Sequence, residues 1–369
     1  MRKQQNNHTA PLKRRDVLVG AGSLVAGATL SFPAPAVAQG VRQLKMVTDW
    51  PEGLPGFYPS AVRFAQTVGA ATGGRIKIEV FLAGAFVRPL ETFDAVSAGV
   101  ADMYHTYEGY FQNKSHALHF FAAIPLGFTA DELFAWVQYG GGQDLWDALN
   151  AQFNIKSLLC TSTGCQMGGW FAREITSPED FRGLRYRMAG PGAEVLRRMG
   201  ATVVVVPGGE IVQTIRSGAI QGSEWVGPWL DVALGLHTVA KYYYYPAFHE
   251  PGTNIAVGIN KGVWGSLDDS DQRLIEAVAA SEYARSLAEF NTNNALWLQK
   301  LRDEGTVKIL KFNDALLKTF RAISSDVVAE IGATDELAKK IYASYRQFQA
   351  SISKWSEIAE HAVINSRTI

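Results

Sequence analysis

"GLRYRMAGPGAEVLRRMGATVVVVPGGEIVQTIRSGAIQGSEWVGP", residues 183–228, decides the fold class. "GLRYRMA" (183–189) alternates as a strand does, and "GPGAEVLRRMG" (190–200) reads as a helix with Gly200 past its end. "ATVVVVP" (201–207) is dense in β-branched residues, as expected of a parallel strand buried on both faces. "GGEIVQTIRSG" (208–218) is a second helix stopped by Gly218, and "AIQGSEW" (219–225) is a third strand. The order β-α-β-α-β implies parallel strands joined by right-handed crossovers. Such sheets bind ligands outside the carboxyl ends of their strands. Arg187 falls at that end of the first strand, just before a helix N-terminus, which attracts anions. Glu224 and Trp225 fall at the same end of the third. Arg185, two residues earlier on the face of Arg187, lies deeper and is a rival cation. Trp229, beyond Gly227-Pro228, reads as packing.

Working outward, "QLKMVTDW" (43–50) and "RIKIEVFL" (75–82) are strands flanking a helix in "GFYPSAVRFAQTVGAATGG" (56–74). "PLETFDAVSAG" (89–99) is a short helix, and "VADMYHT" (100–106) opens another strand. From 267 to 304 there is neither Gly nor Pro, so one helix of roughly 45–50 Å fits, long enough to bridge two bodies. Two further helices, in 315–332 and 335–362, complete an α/β chain.

The first residues are set apart. Arg14-Arg15, a Gly/Ala-rich apolar stretch and Ala36-Val37-Ala38 are expected to form a twin-arginine-type signal peptide over residues 1–38. Removing it takes away five basic residues and one acidic one, leaving a mature chain about four charges negative from a balanced total. That charge carries no basic footprint for nucleic acid. Cys160 and Cys165, the only cysteines, read as two small buried thiols, although an oxidising compartment would allow them to pair. No G-x-S-x-G elbow, phosphate loop or H-E-x-x-H motif is present. His116 and His119 lack an acidic partner for a metal, and nothing in the sequence orients a Cys165–His249 nucleophilic pair.

Residues 183–228, the signal segment, "GVWGSLDDSDQRLIEAV" (262–278) and "AKKIYASYRQF" (338–348) resemble the extracytoplasmic solute receptors of TRAP transporters over essentially the whole mature chain. The resemblance implies a periplasmic protein, not an enzyme, with a two-lobed solute-binding fold and a ligand cleft spanned by a long helix. Carried onto this chain, lobe I comprises 39–163 and 250–290, and lobe II 164–249 and 291–369. Ligand contacts to both lobes would drive hinge closure. "SEWVGPW" (223–229) is similar to the subgroup that binds 2-oxo acids such as pyruvate with a cation. The alternatives are 2-hydroxy acids (lactate-like, with calcium) and small dicarboxylates. By resemblance, Arg187 grips the ligand carboxylate through a bidentate pair. Gln166, Glu224 and the Trp225 carbonyl hold the cation, Na⁺ or alternatively Ca²⁺. Charge balance agrees, because Arg187, Glu224 and a monocarboxylate together lack one positive charge. Tyr104 and Tyr107 are candidates to hydrogen-bond the ligand's keto or hydroxyl oxygen, and Glu250 is a further polar contact. The partners implied are the transporter's membrane subunits, with a homodimer through C-terminal helices as a further possibility in the family.

Overall fold

The computed structural model describes residues 40–367. The signal segment expected over residues 1–38 lies outside the described residues. Eleven strands are present among them: β1 (Arg42–Thr48), β2 (Ile76–Phe81), β3 (Met103–Thr106), β4 (Ile155–Gly164), β5 (Gly169–Phe171), β6 (Arg185–Arg187), β7 (Thr202–Val204), β8 (Gly222–Ser223), β9 (Tyr242–Tyr245), β10 (Thr253–Asn260) and β11 (Lys308–Lys311). They form two sheets, one ordered β2-β1-β3-β10-β4 and the other β11-β9-β5-β8-β6-β7. The chain passes from the first sheet to the second between β4 and β5, and back between β9 and β10.

In the first sheet β1 is parallel to β2 and β3, while β10 runs antiparallel between β3 and β4. Alternation along β1 turns Leu44 and Met46 inward. They meet Phe64 and Val68 of the helix Phe57–Ala71, whose buried positions recur at helical spacing. Ile275, Val278 and Ala279 of the 36-residue helix Asp269–Glu304 close the same core. That helix begins two residues later than the sequence reading allows, because the Asp268 side chain accepts from the Asp271 N–H at 2.8 Å and caps it. At 1.5 Å per residue it is about 54 Å long. It packs on β4 and on the helices Phe57–Ala71 and Pro228–Leu234, so it touches a strand of the first sheet and a helix that follows β8 of the second. Phe290, fully buried on this helix, meets the Phe57 ring at a tilt and the Trp229 ring edge to face. Trp229 is therefore core, as read.

The second sheet contains the expected β-α-β-α-β unit. β6 lies between β7 and β8 and is parallel to both, and the helices Pro191–Arg198 and Ile211–Arg216 form the connections. One expectation fails here. "ATVVVVP" is not buried on both faces: along β7 Thr202 and Val204 are exposed while Val203 between them is buried. Only one face of this edge strand is packed. The helix Asp314–Ile331 packs on Pro191–Arg198, whereas Glu336–Ser356 packs on Ala130–Tyr139 and Gly142–Ala151 beside the first sheet.

Candidate functional site

Arg187 is the last residue of β6, with Val204 of β7 and Ser223 of β8 as its backbone partners. This central position buries it to 1% exposure. Its Nη1 donates to Glu224 Oε1 and, at 3.0 Å, to the Glu224 carbonyl. The guanidinium lies 5.3 Å from the centre of the Trp225 ring. Glu224 follows β8 directly, and its Oε1 also accepts from the Ala189 N–H at 3.2 Å. Its Oε2 is 3.5 Å from His249 Nε2. Burial opposes ionisation of Glu224, but Arg187 and then His249 hold its carboxyl below the ordinary carboxylate value. Burial likewise disfavours the Arg187 charge, and Glu224, Tyr110 and Glu250 outweigh it. Desolvation makes a buried ion pair a weak source of stability, so its presence points to recognition.

Two glycines let these groups close in. Gly190 has φ +68°, and a Cβ there would stand 2.8 Å from the Tyr107 hydroxyl. A Cβ on Gly208 would stand 2.3 Å from the far edge of the Trp225 indole.

The crossings between sheets supply the rest. Gln166 lies between β4 and β5, and Glu250 between β9 and β10. Gln166 Nε2 donates to Glu250 Oε2 at 2.7 Å and to Thr253 Oγ1 at 2.9 Å. Glu250 also accepts from the Tyr107 hydroxyl at 2.8 Å and the Thr253 hydroxyl at 2.8 Å. Burial and then the charge of Glu224 push the Glu250 pKa above its ordinary value. Gln166 Oε1 is buried and has no hydrogen-bond partner among the described residues. A buried amide oxygen left unpaired is costly unless something else fills it.

These side chains, with Trp50, Phe57, Tyr110, Ala189, Val226 and Ile255, enclose a cavity with about 20 Å³ open to the centre of a water-sized sphere. Larger open grooves, of about 490 Å³ beside Tyr342 and about 480 Å³ beside His116, contain none of the expected site residues.

Gln166, Arg187, Glu224, Trp225, Glu250 and Tyr107 are thus brought together. Tyr104 is not. Its hydroxyl bonds Glu108 and, at 3.1 Å, Ser157, within a buried network that also takes in Trp146 and Asn150. The site opens at the end of β3, beyond which Tyr107 lies, and not on the face that Tyr104 occupies. Arg185 is exposed and donates to the Gly218 carbonyl at 2.8 Å, so among the described residues Arg187 is the only arginine or lysine lining the cavity. Both cysteines are free. Cys160 is buried as expected, whereas Cys165 is exposed where the chain leaves β4. His249 faces Glu224, and the Cys165 thiol contacts the Gln166 carbonyl at 3.7 Å.

Sequence reasoning missed Tyr110, Trp50 and Thr253. Trp50 was within reach, because it sits just past the carboxyl end of β1. Tyr110 lies in a single 3₁₀ turn, Glu108–Phe111, which has no periodicity to read.

A cation fits the donor set. Gln166 Oε1 is an unclaimed oxygen and Glu224 a buried carboxylate, the hard donors that sodium and calcium take. Among the described residues no group of three or more His, Cys, Asp or Glu side chains is placed for a metal, so amide and backbone oxygens have to contribute.

A two-sheet α/β fold with a charged, enclosed cleft at the crossings defines a solute receptor, and residues 49–335 match the bacterial extracellular solute-binding proteins of family 7, the DctP family. The chain belongs to that family, the periplasmic receptors of TRAP transporters, which bind small carboxylates and work with membrane permeases; it is a receptor and not an enzyme. A monocarboxylate 2-oxoacid-binding periplasmic protein of Nostoc sp. is 35% identical over 95% of this chain and 97% of its own length. A TRAP transporter solute-binding protein from Bordetella bronchiseptica superposes with a TM-score of 0.87 at 32% identity, covering 89% of this chain and 98% of that one. It is a mixed-occupancy dimer with copurified calcium and picolinate in one site. A TRAP periplasmic solute-binding protein from Pseudoalteromonas atlantica, with bound sodium and pyruvate, has a TM-score of 0.85 at 30% identity, covering 88% and 99%.

Proposed function

We propose that this receptor takes a small 2-oxo monocarboxylate such as pyruvate together with one cation, and presents it to the membrane subunits of its transporter. The observation that carries the reading is the buried Arg187–Glu224 pair beside the unpaired Gln166 oxygen. Arg187 is the carboxylate anchor. Glu224, Gln166 and the Trp225 carbonyl are the cation ligands, and Tyr107 and Tyr110 are polar wall. When bound, the cation supplies the positive charge that lets Glu224 and the ligand carboxylate share one cleft. A lone arginine supports a monocarboxylate over a dicarboxylate, which needs a second cationic partner. Counting Glu250 as ionised, Arg187, two buried carboxylates and a monoanion sum to two negative charges. That balance favours Ca²⁺, since Na⁺ leaves one charge uncompensated.

The lobes are residues 39–163 with 250–290 and residues 164–249 with 291–369, with the helix Glu336–Ser356 reaching back onto lobe I. The 20 Å³ cavity holds about one water, so the lobes part at the two crossings to admit the ligand. Export follows the twin-arginine route through Arg14-Arg15. Trp355, Ile358, Val363 and Ile364, all exposed near the C-terminus, support a homodimer formed there.

The test is calorimetric titration of ligand-stripped protein with pyruvate, lactate and malonate, before and after chelation in sodium-free buffer. Pyruvate binding that collapses without a cation supports the reading. Malonate binding more tightly than pyruvate, or binding indifferent to cations, overturns it.

A further inference from the structure

Glu250 entered the sequence reading as a contact to the ligand, but its hydrogen bonds point elsewhere. Both of its oxygens are occupied by protein donors: Tyr107 on Oε1, and Gln166 and Thr253 on Oε2. The direction of each bond can be followed. The Thr253 hydroxyl donates to Glu250, so toward Gln166 it only accepts. The Thr163 hydroxyl donates to the Gly164 carbonyl at 3.0 Å, so it too only accepts from Gln166, at 3.5 Å. Three acceptors therefore surround one end of the Gln166 amide, and only the NH₂ group has hydrogens to share among them. The oxygen is forced to the opposite end, where it is buried and unpaired. Turning the amide over would set an oxygen against three acceptors and leave an NH₂ facing the cation.

We infer that Glu250 is a positioning residue that locks the Gln166 amide so that its oxygen faces the cleft, and thereby sets the receptor's affinity for its cation. The inference rests on the cation site proposed above. Groups of this kind, one shell out from a metal, typically change its affinity by about 10- to 100-fold when replaced. In Glu250→Gln the new amide either accepts from the Gln166 NH₂ or donates to the Gln166 oxygen, and the orientation is no longer fixed.

The experiment is calorimetric titration with pyruvate at graded Ca²⁺ and Na⁺ on ligand-stripped wild type, Glu250→Gln, Thr253→Val and the swapped pair Gln166→Glu/Glu250→Gln. The expected result is that Glu250→Gln raises the cation concentration for half-maximal pyruvate binding by about tenfold or more. Pyruvate affinity at saturating cation is regained to within about threefold, because mass action restores an occupied site. Thr253→Val, which removes one of the acceptors, shifts the cation requirement in the same direction. The swapped pair keeps the charge count and offers an oxygen in either orientation, so it returns the requirement to within about threefold of wild type. A purely structural role for Glu250 would lower affinity at every cation concentration and resist that rescue. An unchanged requirement in Glu250→Gln, with wild type cation-dependent, overturns the inference alone. A wild type indifferent to cations removes the proposed site and the inference with it.

Discussion

Replacing Arg187 by lysine keeps the charge and removes the fork. Nη1 is committed to Glu224, to its carboxylate and, at 3.0 Å, to its carbonyl. Nη2, outside that pairing, is the nitrogen proposed to meet a ligand oxygen. A lysine nitrogen reaching the same place has to serve Glu224 and the ligand from one centre. At least one charge-assisted hydrogen bond is lost, at about 1.5–3 kcal/mol. The guanidinium also sits 5.3 Å from the Trp225 ring centre, but that contact exists without a ligand, so its loss weakens folding and not binding. The expected cost in pyruvate binding is therefore about 1.5–3 kcal/mol, or roughly 10- to 150-fold in affinity. Calorimetry at saturating cation measures it, and a thermal melt of the ligand-free variant separates lost binding from lost folding. An affinity within about threefold of wild type, in a variant that melts normally, would refute the assignment of Arg187 as the carboxylate anchor.

Three other outcomes are expected. Glu224→Gln removes one of the two buried carboxylates that call for a cation and weakens a cation ligand, so the cation concentration for half-maximal pyruvate binding should rise by about tenfold or more; in urea the ligand-free variant should be about 3–5 kcal/mol less stable, because Arg187 loses its buried partner. Asp231 bonds Trp170, Tyr243 and the Val226 N–H, and burial pushes its pKa up to about 7 despite those donors. An acid raised in the folded state contributes stability that is full below its unfolded value and lost as pH rises toward 7. Stability should therefore fall by about 1 kcal/mol per pH unit between pH 4 and 7, and Asp231→Asn should flatten that slope in pH-dependent urea melts. Trp355→Glu with Ile358→Glu should convert a dimer to a monomer by light scattering without altering pyruvate affinity; a wild type that is already monomeric contradicts the proposed dimer.

The sequence was most informative where local chemistry and local geometry coincide. Arg187 and Glu224 were legible because each ends a parallel strand of one continuous unit, and the carboxyl-edge rule needs only the order of elements. The long helix was legible from its lack of Gly and Pro. What failed depended on partners far along the chain. Val204 and Val205 carry the composition of a buried strand, but they are exposed because one face of β7 is left unpacked, which depends on where distant helices fall. Tyr104 and Tyr107 look equivalent in "MYHTY", yet one lies within β3 and the other beyond its end. Gln166 and Glu250 meet because two crossings run side by side, with the Gln166 N–H donating to the Glu250 carbonyl at 3.4 Å, and no periodicity encodes that meeting. The sequence offers His249 only as a partner for Cys165, whereas it lies 3.5 Å from the Glu224 carboxylate.

The most direct measurement is native mass spectrometry, with metal analysis of the same sample, on protein purified without added ligand. One 2-oxo monocarboxylate and one calcium or sodium ion per chain is the predicted result. A bound dicarboxylate, or a monocarboxylate carried with no metal, would contradict the cation-bridged site.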